Sequence, residues 1–149
     1  MRITGHCLCG DITYEITGPI GPIVNCHCHR CRRWHGAAFR TRASVPVSQF
    51  HWLKGTELLS EYRSDAGNIK TFCRRCGSNL ISRYEDNPDF YGVPIGGLDL
   101  DAAHAPTAHI FVQDKAPWHA ISDELPQYAT FPAEGANAVR GQIKTLSDE

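Results

Sequence analysis

Seven cysteines fall into three tight groups: Cys7-Leu8-Cys9, Cys26-His27-Cys28-His29-Arg30-Cys31 and Cys73-Arg74-Arg75-Cys76. Closely spaced thiols of this kind can converge on one soft metal ion, and zinc is the ordinary occupant. The count is odd, and the opening MRITGHCLCG carries no apolar run of export-signal length. Both features favour metal binding or thiol chemistry over a disulfide framework and lead to the expectation of a cytoplasmic protein.

A closed structural zinc takes four ligands, whereas a catalytic zinc keeps three and leaves one position exchangeable. Seven cysteines divide naturally in that way. Cys73 and Cys76, followed by Gly77, have the spacing of a zinc knuckle, and Cys7 and Cys9 can converge with them on one ion. Cys26, Cys28 and Cys31 remain as a local trio, which either stays open or is closed by His27, His29 or His35. Zinc with three thiolates carries a formal negative charge and needs nearby cations if partly buried. Arg30, Arg32 and Arg33 flank the trio and are candidates to bind an anionic substrate. His29 and His35 are candidate general bases. So electron-rich a site is a weak Lewis acid for hydrolysis. It suits a substrate thiol, bound as thiolate, that attacks a carbonyl carbon.

The elements that must position these residues read as short strands. Ile12, Tyr14 and Ile16 alternate on one face, as do Leu80, Ser82 and Tyr84 on another run. Further β-rich stretches span 36–43, 47–53, 68–73, 90–96 and 108–113. Turns are expected at 18–22, 65–68 and 86–89, and short helical turns at 30–36 and 136–146. The 149 residues, 42% of them hydrophobic, make about one domain. A formal net charge of −1 offers no field for nucleic acid. No stretch approaches the ~20 apolar residues of a spanning helix, so no membrane partner is expected.

Gly5-His6-Cys7-Leu8-Cys9-Gly10, the Cys26–Arg33 run, Phe72-Cys73-Arg74-Arg75-Cys76-Gly77-Ser78, His109-Ile110-Phe111 and Lys115-Ala116-Pro117-Trp118 occur in an order and spacing that resemble the glutathione-dependent formaldehyde-activating family, which includes centromere protein V. The resemblance covers about 3–128, leaving a tail at 129–149 within a single domain of 1–149. It implies a mainly β, Mss4-like fold of several short coiled antiparallel sheets held together by zinc. It also implies two Zn²⁺ ions: a structural one on Cys7, Cys9, Cys73 and Cys76, and a catalytic, more labile one on Cys26, Cys28 and Cys31. The implied activity is a carbon–sulfur lyase reaction, the reversible addition of glutathione or a similar thiol to formaldehyde or a related aldehyde, as in S-hydroxymethylglutathione synthesis. A non-catalytic zinc module for protein interaction is the alternative. In the last motif, core packing by Trp118 and a capped strand end are expected. The sequence specifies no oligomeric state.

Overall fold

The computed structural model describes residues 1–136. Its strands are β1 (Arg2–His6), β2 (Thr13–Thr17), β3 (Ile23–Cys26), β4 (Arg40–Pro46), β5 (Phe50–Lys54), β6 (Leu59–Arg63), β7 (Asn68–Cys73), β8 (Asn79–Tyr84), β9 (Asn87–Pro94) and β10 (Ala108–Ile110), with one helix, α1 (His29–His35). They form two sheets: β1-β2-β5, and a seven-stranded sheet in the order β10-β3-β4-β9-β8-β7-β6. Every pairing is antiparallel except β10 on β3. The fold is thus mainly β, with most of its strands gathered in one larger sheet.

The two sheets share one core. Ile12, Tyr14 and Ile16, with Ile3 of β1 and Phe50 of β5, pack against Ile23, Ala43, Val45, Ile81 and Val93 of the larger sheet. Tyr14 stacks on Phe50 with centroids 5.1 Å apart. Burying apolar area in this way is the main force holding the sheets face to face.

The larger sheet's opposite face is polar yet also buried. Along β4, Arg40, Arg42 and Ser44 alternate with Ala43 and Val45; along β7, Asn68 and Lys70 flank Ile69. All five polar residues are buried, with Lys70 at 8% exposure and Arg40 at 3%. Side chains two apart on a strand share a face, so the alternation that builds the core also lines up these cations. Leu80 departs from the simple pattern. A register shift falls beside it, and it joins the core with Ile81 while Ser82 turns to the polar face and receives Arg40.

Several element ends differ from the expected ones for local reasons. Gly36 closes α1 in the left-handed conformation (φ 59°), so β4 begins only at Arg40. Val47–Gln49 takes a 3-10 turn after Pro46, which delays β5 to Phe50. β10 stops at Ile110 because Phe111 adopts φ 56°, a conformation rare for a non-glycine residue. Three strands, β1, β3 and β6, were not anticipated. The expected helical turn at 136–146 lies outside the described residues but for its first. Among the described residues no helix is long and apolar enough to cross a membrane.

Candidate metal centre and pocket

The first cysteine cluster sits where two tight turns meet. Cys7 follows β1, and Gly10 (φ 80°) donates its N–H to the Cys7 carbonyl at 3.0 Å. Cys73 ends β7, and Gly77 (φ 78°) donates to the Cys73 carbonyl at 2.8 Å. In each turn the glycine takes the left-handed conformation that lets the chain fold back beneath its sulfurs. Ser78 joins the turns: its hydroxyl accepts from the Leu8 N–H at 2.8 Å and lies 3.2 Å from the Cys76 sulfur.

All four sulfurs, of Cys7, Cys9, Cys73 and Cys76, lie within 4.8 Å of one another. A tetrahedron with metal–sulfur bonds of ~2.3 Å has edges of about 3.8 Å. Cys7 to Cys9 is 3.5 Å and Cys9 to Cys73 is 3.9 Å, and all seven cysteines are free thiols. The set therefore fits a four-thiolate metal ion and could hold one between the two sheets.

Cys26, Cys28 and Cys31 form the second cluster, again within 4.8 Å. Cys26 ends β3, and Cys28 is the N-cap of α1, its sulfur accepting the Cys31 N–H at 3.4 Å. A cysteine thus fills the place usually held by Ser, Thr, Asp or Asn. No His, Asp, Glu or further Cys among the described residues joins this trio within the same distance. His27 turns away to His109, with Nε2 2.8 Å from Nδ1 of His109, and His109 Nε2 is 3.0 Å from Asp123. When His109 is neutral and donates to the carboxylate, His27 donates to His109, which leaves His27 Nδ1 as a buried acceptor without a partner among the described residues. Burial, then the charge of His109, holds His27 down to about 4. This relay fixes the chain between two of the sulfurs.

The trio's sulfurs titrate as a unit. The side chains of Cys26 and Cys28 hydrogen-bond to Cys31 and hold it far below the ordinary thiol range against its burial, with Arg40 and Lys70 assisting. Cys26 is driven far up, first by its hydrogen bonds with Cys28 and Cys31 and then by burial. Arg40 is anchored by bonds to Ser82 Oγ and the Gly92 carbonyl, each 2.9 Å. Burial, then Arg40's charge, lowers the Lys70 ammonium to about 8, while the cysteine charges pull it upward. The Trp34 ring lies against both cations, 5.0 Å from Arg40 and 4.5 Å from Lys70. The two cations thus give a negatively charged trio its compensation.

A pocket of about 240 Å³ opens on the trio, walled by Arg30, Arg40, Arg42, Lys70, Tyr84 and the rings of Phe111 and Phe131, with Asp114 the one acid among the described residues that line it. Of the three arginines expected from sequence, only Arg30 lines it. Arg32 donates to the Asp114 carbonyl at 2.8 Å and so ties α1 to the segment after β10. Arg33 lines a neighbouring pocket. Of the two candidate bases, His29 lines the trio's pocket, 3.8 Å from the Asp114 carboxylate. His35 lies elsewhere, beside Asn79 in the hollow next to Cys7, and burial followed by Arg40's charge lowers it to about 4.

Sequence reasoning missed Arg40, Arg42 and Lys70. Their signal was present as charged residues alternating with apolar ones along a strand, a pattern that ordinarily marks a solvent face. Trp118 corrects an expectation. It is 70% exposed and does not pack in the core, because the turn at 115–119 is held instead by Lys115, whose Nζ donates to the carbonyls of Ala116 and His119.

Comparison with known proteins agrees with this geometry. The family profile described as "Glutathione-dependent formaldehyde-activating enzyme" matches residues 2–114. A protein of Aspergillus flavus named "Putative glutathione-dependent formaldehyde-activating enzyme" is 27% identical over 95% of this chain and 71% of its own length. An uncharacterized lyase of Schizosaccharomyces pombe is 26% identical over 58% of this chain and 61% of its own. The crystal structure of a Rhodobacter sphaeroides protein, 25% identical, superposes with a TM-score of 0.57 over 69% of this chain and 97% of that one. The chain belongs to the glutathione-dependent formaldehyde-activating enzyme family.

Proposed function

We propose that the protein is a zinc-dependent carbon–sulfur lyase that adds a small-molecule thiol, such as glutathione, to formaldehyde or a related small aldehyde. The observation that carries this reading is the three-sulfur cluster, with no fourth protein ligand among the described residues, facing a pocket lined by cations. Zinc held by Cys26, Cys28 and Cys31 would supply an open position that favours the deprotonated form of an incoming thiol. Cys7, Cys9, Cys73 and Cys76 would hold a second, structural zinc.

The protein's own residues would set up the addition. Arg40 and Lys70 offset the negative charge gathered at the trio. Arg30 and Arg42 in the pocket wall can receive a carboxylate of the thiol. The phenyl rings of Phe111 and Phe131, 4.8 Å apart, shield one side from water. The thiol gives up its S–H proton, a sulfur lone pair forms the carbon–sulfur bond, the carbonyl π pair moves to oxygen, and that oxygen takes up the proton the thiol released. No electrons are gained or lost overall. His29 would carry that proton; its position in the pocket lining beside Asp114 supports the role.

The test is to mix zinc-loaded protein with glutathione and formaldehyde and follow adduct formation by exchange NMR. Acceleration over the spontaneous reaction, abolished by Cys28→Ser, is the expected result. No acceleration with any of several thiols would refute the enzyme reading and favour a zinc module that serves protein interaction.

A further inference from the structure

The pocket on the trio does not stand alone. A second pocket of about 340 Å³ lies beside it, and Arg30, Asn68 and Lys70 line both. Its remaining walls include Arg33 and Trp34 of α1 and Tyr62 of β6. Arg30, Arg33 and Trp34 stand three and four residues apart on a helix, so they share one face. Tyr62 pairs with Lys70 across β6 and β7, and directly paired residues project to the same side of a sheet. Helix and sheet thus frame two adjoining pockets with a shared wall, the inner one at the sulfurs and the outer one reaching the sheet's edge strand.

Charge and size assign it an occupant. Among the described residues three cations and no carboxylate line the outer pocket, which complements an anion. The inner pocket, at about 240 Å³, falls below the ~300–1,000 Å³ that usually enclose a whole organic ligand; the two pockets together fall within it. A thiol whose carboxylate lies several bonds from sulfur would have to leave the inner pocket across Lys70 and Arg30. It would then meet Arg33, with Trp34 and Tyr62 offering flat surfaces for its amide planes.

We propose that this outer pocket is a specificity subsite, holding the carboxylate-bearing far end of a peptide-sized thiol whose sulfur lies at Cys26, Cys28 and Cys31. The assignment rests on the thiol-binding reading of the trio. It makes Arg33 and Tyr62 determinants of which thiol is accepted, without contact to the reacting atoms. Both are exposed, so substituting them leaves the core intact.

The experiment uses the full chain with cobalt(II) in place of zinc, and reads thiol binding from the sulfur-to-cobalt charge-transfer absorption, with no aldehyde present. Glutathione is titrated against 2-mercaptoethanol, which shares the thiol but lacks the anionic arm. In the unaltered protein glutathione is expected to bind at least about tenfold more tightly. Arg33→Glu and Tyr62→Ala should each reduce the glutathione-to-mercaptoethanol affinity ratio, the former by about tenfold, as befits loss of one charge-assisted contact. Bands that appear for both thiols with no difference in affinity, or a ratio that neither variant moves, would overturn the outer subsite while leaving thiol binding in place. A spectrum that no thiol perturbs would overturn both readings.

Discussion

In both cysteine clusters the sulfurs lie within 4.8 Å of one another, but the surroundings are very different. At the four-sulfur cluster the nearby charge is peripheral: Arg75 pairs with Asp11 at the surface, and the sulfurs close off the end of the core between two sheets. The three-sulfur cluster lies on the polar face of the larger sheet beside two buried cations and a pocket. Sulfur spacing is therefore common to scaffold and candidate reaction centre. The difference lies in the lack of a fourth ligand among the described residues and in charge buried at some cost to stability. Burying Arg40 and Lys70 with no carboxylate paired to either among the described residues is unfavourable unless negative charge gathers beside them, and the trio is where it gathers.

The widest contrast should come from breaking one ligand in each cluster. A structural zinc contributes ~10–16 kcal/mol of apparent binding energy to folding, comparable with the ~5–15 kcal/mol of a whole domain. Cys73→Ser is therefore expected to leave the chain unfolded at 25 °C, seen as collapse of NMR chemical-shift dispersion. Cys28→Ser should keep a cooperative thermal transition yet slow adduct formation by at least about 100-fold, since even outer-shell partners of a metal are worth ~10–100-fold.

Buried compensation is the next target. Arg40→Gln removes a charge and two anchoring hydrogen bonds, and should lower stability by about 2–3 kcal/mol in urea denaturation. It should also make the second metal easier to extract with a chelator, by about 10-fold or more. Were metal retention at the trio unchanged, Arg40 would be part of the scaffold only.

His35 lies between the two regions and supplies a pH test. Its folded pKa, about 4, is below the ordinary 6.5, so between these values the unfolded chain binds more protons than the folded one. The stability it contributes is complete above pH 6.5 and is lost as pH falls toward 4. Urea midpoints measured from pH 7.5 to 4.5 should fall less steeply in His35→Asn than in the unaltered protein. Equal slopes would remove His35 from the account. The smallest effect is expected at Arg75→Ala, where an exposed ion pair is lost. No measurable change in thermal midpoint or in metal retention should follow.

Much of this contrast was legible before any coordinates. The grouping of Cys7, Cys9, Cys73 and Cys76 against Cys26, Cys28 and Cys31 follows from spacing and count, and the sulfurs meet in those two sets. Ile12, Tyr14 and Ile16 face the core as their alternation requires. The strand at 68–73 has the expected bounds. The charge partners were not legible in the same way. Arg30, Arg32 and Arg33 drew attention by lying next to the trio in sequence, yet they serve three different places. A helix of seven residues points successive side chains about 100° apart, so neighbours in sequence cannot all face one pocket. Trp118 misled for a similar reason: its apolar ring suggested burial, while the turn around it is held by Lys115.

Local chemistry, read along the chain, was enough to establish which cysteines belong together, that short strands carry them, and which family they mark. Those properties depend on residues a few positions apart, where spacing and turn geometry act directly. Only tertiary structure decided that Arg40, from β4, and Lys70, from β7, stand beside sulfurs on β3 and α1. Only it showed that the larger sheet's polar face is covered, with Trp34 lying against both cations. An alternating strand records that two faces differ in polarity. What lies over each face is set by how distant segments pack, and that contact turns two ordinary-looking strand cations into the electrostatic floor of a candidate active site.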